Sequence, residues 1–247
     1  MTLWRLEWLR LVRTHRLVAL CAVFGLFGLV GPISVRYLPE IIRRFGGVEV
    51  VLPPATPADG MAGYVKNAVQ LGLLVLVLVA AAALAFDAQR DSAVFLRTRV
   101  PALWRIVVPK VVVNAAAGAG AFTVGAMAAW YETAVLLGAL PVGRTLLGIA
   151  CMAAYLAFAV ALTALTAALL RGVVGTALTC LGVLLLSALL EPLGGFGRWL
   201  PSRLVGALDG LLRGATPSSY LPALALTAAL AVAATATATA LLSKRDV

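Results

Sequence analysis

One histidine, three cysteines and three lysines make up the chain's usual stock of bases, soft ligands and amine nucleophiles, and no two of them stand at a catalytic spacing. His15 projects on a helix beside Trp4, Trp8 and Leu11, so a Ser–His pair or a histidine zinc site lacks its other members. Cys21, Cys151 and Cys180 lie singly in apolar runs without a CxxC spacing and read as small hydrophobes. Lys66, Lys110 and Lys244 follow Val, Pro and Ser, which excludes a Gly-rich phosphate loop ending in Gly-Lys-Ser/Thr. Glu132 and Glu191 border apolar runs, where a carboxylate caps a helix or bonds a neighbouring one; a substrate gate is the functional alternative. Asn114 stands four residues after Lys110, one helical turn on, placed to support it. No metal site, cofactor or catalytic constellation is expected.

The one dense cluster has a different chemistry. Asp87, Arg90, Asp91, Ser92, Phe95, Arg97, Thr98, Arg99, Trp104, Arg105 and Lys110 fall within residues 87–110. Arginines make two-pronged contacts with carboxylates and buried aromatics anchor interfaces, so this composition suits gripping another protein. A plain topology signal would also use the arginines, but Asp87 and Asp91 contribute nothing to one.

The elements that must position this cluster follow from composition. Of 247 residues, 62% are hydrophobic and 12% charged, with a mean hydropathy of +1.02. So much apolar surface must face lipid, because no interior of this size could absorb it. A hydrocarbon layer about 30 Å thick takes about 20 helical residues, which predicts an all-α protein with six spans at 17–35, 68–86, 111–130, 145–170, 173–190 and 220–242. Residues 1–16 read as an amphipathic interfacial helix, with Trp4, Trp8, Leu11 and Val12 on one arc and Arg5, Arg10, Arg13 and Arg16 around them. Gly25, Gly28 and Gly31 leave a smooth face on the first span. Residues 36–67 and 191–219 become loops, the first holding a short helix near 37–45.

Twelve Lys and Arg fall on the side of the termini and residues 87–110, against eight on the other, which predicts cytoplasmic termini and a multi-pass protein of the cell membrane. The net charge of +10 is thereby assigned to the bilayer rather than to nucleic acid. The cores of the second to sixth spans lack Asp, Glu, Lys and Arg, unlike those of a gradient-driven carrier. Active transport would then need a separate nucleotide-hydrolysing subunit, and residues 87–110 are its natural docking surface.

Further motifs carry a family likeness. Gly31-Pro32, Tyr37-Leu38-Pro39-Glu40-Ile41 and Tyr64-Val65-Lys66-Asn67 with Gln70 are followed by Asp87 in an acidic place, Ser92 in a Thr place, Phe95 in a Leu place, Thr98-Arg99 and Lys110. Together they resemble the permease subunit of type-2 ABC exporters. The chain departs from that pattern at Asp91, where Gly is usual, at Val100, with Pro101 shifted by one, and at Leu103, with Arg105 two later. The resemblance implies a single permease domain over 1–247 with an N-terminal elbow helix and a coupling helix within 87–110. It also implies an ATP-binding partner on the cytoplasmic face and a second copy or a related permease beside it. The alternative from another class is a membrane-embedded assembly or regulatory protein without transport activity.

Overall fold

The computed structural model describes residues 3–45, 54–84, 104–170, 172–192 and 194–244. Among them the structure is all-helical, and six helices are long and apolar enough to cross a membrane. A short helix, α1 (Leu3–Arg13), precedes the first span, α2 (Arg16–Phe45). The second span is composite: α3 (Pro57–Asn67) passes through a π-helical turn at Ala68–Gly72 into α4 (Leu73–Leu84). The third, fourth and fifth spans are α5 (Trp104–Leu136), α6 (Val142–Leu169) and α7 (Val173–Leu190). Two 3-10 turns and α8 (Ala207–Leu212) lead to a further 3-10 turn at Pro217–Tyr220 and the sixth span, α9 (Leu221–Lys244).

Several boundaries differ from the sequence expectation, each for a local reason. The first span does not stop at residue 35, and the short helix near 37–45 is its continuation through Pro32 and Pro39. A proline removes one backbone bond, and neighbouring helices make that tolerable in a span. The second span begins at Pro57 rather than 68, so a third of the supposed loop is helix. Pro57 takes the first helical position, and the Asp59 carboxylate accepts hydrogen bonds from the Thr56 N–H (2.8 Å) and hydroxyl (2.6 Å), closing a capping box. The third span starts at Trp104 rather than 111 and runs to Leu136, absorbing Trp104, Arg105 and Lys110. The fifth span has the expected limits.

Close backbone approach builds the core. A side chain on Gly28 would strike the Gly125 carbonyl, one on Gly125 would strike the Phe24 carbonyl, and one on Gly31 would come within 2.8 Å of the Tyr64 amide nitrogen. The first span therefore lies backbone to backbone on the third and second, a contact small residues permit where lipid supplies no hydrophobic drive. Phe24, Tyr64 and Phe122 fill the space beside this seam: Tyr64 stacks on Phe122 (5.2 Å between centroids), Phe24 meets it edge-on (5.9 Å), and the Tyr64 hydroxyl donates to the Phe122 carbonyl at 2.7 Å. The fourth span is the most enclosed, with 67% of its apolar stretch buried against 17% for the sixth.

Candidate functional site

The structure gathers charge at the end of the bundle where the second span ends and the third begins. Glu7 and Leu11, one turn apart on α1, both point inward, and Lys110, buried on the first turns of α5, reaches toward Glu7. The Lys110 Nζ lies 3.9 Å from Glu7 Oε1 and donates to the Ala83 carbonyl, at the end of the second span, at 3.1 Å. Arg10, one turn on from Glu7, stands 3.6 Å from the same carboxylate oxygen. Deeper in α5, the Asn114 amide donates to the Lys110 carbonyl at 2.8 Å, while its Oδ1 is buried without a hydrogen-bond partner.

This knot joins three elements through two charges that are 8% and 2% exposed. Moving such charges out of water costs several kcal/mol each, by order of magnitude, and only their mutual contact and hydrogen bonds offset that cost. Neither residue can withdraw alone at low cost. Ala83 and Lys110 belong to the second and third spans, which flank residues 85–103 in the sequence.

The expected site residues separate into groups. Lys110 is buried and turned inward, because the third span extends to Trp104 and carries it into the bundle. Trp104 is 56% exposed, and the Arg105 guanidinium sits 5.5 Å from its ring centre. Asp87, Arg90, Asp91, Ser92, Phe95, Arg97, Thr98 and Arg99 lie outside the described residues. On α1, Arg5, Arg10 and Arg13 are exposed, but the expected apolar arc divides: Leu11 is buried, whereas Trp4, Trp8 and Val12 point outward. His15 does not continue the α1 helix. Its φ of 57° makes it the left-handed residue at the turn into α2.

At the opposite end, Arg213 bridges Asp59 at 2.6 Å and Asp209 at 2.7 Å, linking α3 to α8. Asp209 and Asp59 raise its pKa above the ordinary guanidinium value. Sequence reasoning missed this bridge because its partners are 154 residues apart. Glu132 and Glu191 occupy the ends of the third and fifth spans, both partly buried, and no hydrogen bond or ion pair joins them. Among the described residues no group of three His, Cys, Asp or Glu could hold a metal.

A groove of about 700 Å³ opens beside Trp104, between the third, fourth and sixth spans. Ala116, Ala161, Val232 and Ala236 are among its walls. The chain matches no protein-family profile, no curated protein and no solved structure.

Proposed function

We propose that this chain is the permease subunit of a multi-subunit exporter of the type-2 ABC kind, moving an amphipathic substrate outward. A separate ATP-binding protein docks on the segment 87–110 from the cytoplasm, and a second permease copy or a related permease completes the pathway. ATP hydrolysis belongs to that partner. The termini face the cytoplasm of a cell-membrane protein, in keeping with the distribution of Lys and Arg. α1 acts as an elbow in the interface, its outward Trp4 and Trp8 at headgroup level and its arginines reaching phosphates.

The observation that carries this reading is the Glu7–Lys110–Ala83 knot. A push on the segment that joins the second and third spans reaches both of them and, through one buried ion pair, α1. An attachment of that kind suits a lever better than a slack loop. The sequence adds the grip, with Arg90, Arg97 and Arg99 for carboxylates and Phe95 and Trp104 for pockets.

The test first seeks a P-loop ATPase in the neighbouring reading frames and pairs the chain with it. The double substitution Arg97→Glu, Arg99→Glu is expected to weaken copurification with the ATPase while membrane insertion stays normal. Undiminished binding would overturn the coupling assignment. A stable complex that shows no ATP-dependent flux with any amphiphile would point instead to an assembly or regulatory protein.

A further inference from the structure

The groove beside Trp104 has a depth, a chemistry and a charge pattern that together select one occupant. Its lining on the third span runs from Trp104 to Ala119, fifteen residues or about 22 Å at 1.5 Å per residue. On the sixth span it runs from Thr239 back to Ala231 and ends there. The wall is thus about 22 Å tall on the third span and about 12 Å on the sixth, short of the full hydrocarbon layer of about 30 Å. A helix from a second copy would cross the whole thickness and needs a longer seat.

Among the described residues of the lining, Thr235 and Thr239 alone carry hydroxyls, and both are committed, donating to Ala231 O at 2.8 Å and Ala236 O at 2.6 Å. The rest is Ala and Val apart from Trp104. Hydrocarbon fits such a surface, and its volume falls within the range of roughly 300–1,000 Å³ usual for small-molecule sites.

Among the described residues, charge lies beside the groove at its Trp104 end and not in its lining. The Arg105 guanidinium is held over the Trp104 ring and has no acidic partner among the described residues. Lys244 is exposed at the same end, because the start of the third span and the end of the sixth line the groove together. We propose that the groove holds one acyl chain of an anionic phospholipid from the leaflet at the Trp104 end, with its phosphate against Arg105. The proposal rests on the chain crossing a bilayer and is independent of the permease reading.

Full-length protein in neutral detergent, titrated with phosphatidylglycerol or phosphatidylcholine of equal chain length and followed by native mass spectrometry, tests it. One phosphatidylglycerol should be retained, with about a fivefold preference over phosphatidylcholine, the worth of one cation near a membrane surface. Ala116→Trp and Ala236→Phe, which fill the groove from two different helices, should each lose that lipid. Leu178→Trp, on the exposed face of the fifth span, should keep it. Arg105→Gln should remove the headgroup preference and leave phosphatidylcholine binding unchanged.

Far-UV circular dichroism and gel filtration establish that each variant is folded, and either groove variant alone suffices for the comparison. Retention unchanged in a folded groove variant would overturn the proposal, as would equal affinity of the wild type for the two lipids. Displacement of the lipid by inorganic phosphate would reduce the site to an anion site. Conversion of a dimer to a monomer by both groove variants, with lipid retention unaffected, would assign the groove to a second copy.

Discussion

Lys110 shows how a single side chain can be legible in kind while its surroundings are not. Its charge and its spacing from Asn114 mark it out in the sequence, and the bond from Asn114 to its carbonyl follows that spacing. Its partner is harder to see. Glu7 is the only acidic residue in the first 39, yet among four arginines it reads as ordinary surface pairing. The overlooked signal is its placement 40° from Leu11, on the edge of α1 that faces inward. Lys110→Met should leave the buried Glu7 carboxylate with Arg10 alone and destabilise the protein, by up to about 3 kcal/mol. Glu7→Met in the same chain should restore most of that loss. Thermal unfolding of the two single variants and the double in detergent gives the coupling; simple additivity would show that the two charges do not support each other.

Helix against helix, the glycines decide which faces meet. The three-residue repeat of Gly25, Gly28 and Gly31 predicts a close approach, and the structure uses two of the three. Gly28 and Gly31 face backbone, whereas Gly25 faces open space. Spacing alone could not distinguish them, because the partner glycine, Gly125, lies about a hundred residues away and is one of several in its own helix. Gly28→Ala should cost about 1–3 kcal/mol, the usual penalty for forcing an extra carbon into a packed contact. Gly25→Ala should change stability by no more than about 0.5 kcal/mol. Unfolding temperatures that rank the two the other way would contradict the seam. Helix limits were legible wherever an apolar run met a clear stop, as at the fifth span. They were lost where the first span was ended before Arg36 although its helix runs on to Phe45, and where the capping residues Thr56 and Asp59 looked like part of a loop.

For the molecule as a whole, the number of spans could be read from apolar run length, because the thickness of lipid fixes it. The side on which each end lies rests on charge alone, and thiol labelling tests it. With Cys21, Cys151 and Cys180 replaced by alanine, Ser218→Cys should react with an impermeant maleimide on intact cells, and Ser243→Cys only after permeabilisation. The reverse pattern would invert the topology and place residues 87–110 out of reach of any ATPase. The site was legible in composition and opaque in geometry, since the ionic knot and the Asp59–Arg213 bridge both join residues separated by more than a hundred positions.

The enclosure of the fourth span bears on how the protein is made. A helix apolar enough to enter the bilayer by itself nevertheless ends with most of its circumference against protein. During synthesis the first three spans emerge ahead of it, and the helix that covers its groove side leaves the ribosome only after the fifth span. A nascent chain halted after Leu190 would therefore hold Ala157 and Ala161 bare to lipid, with their cover still untranslated, and that interval is when quality-control proteases and insertion chaperones would meet an unfinished bundle.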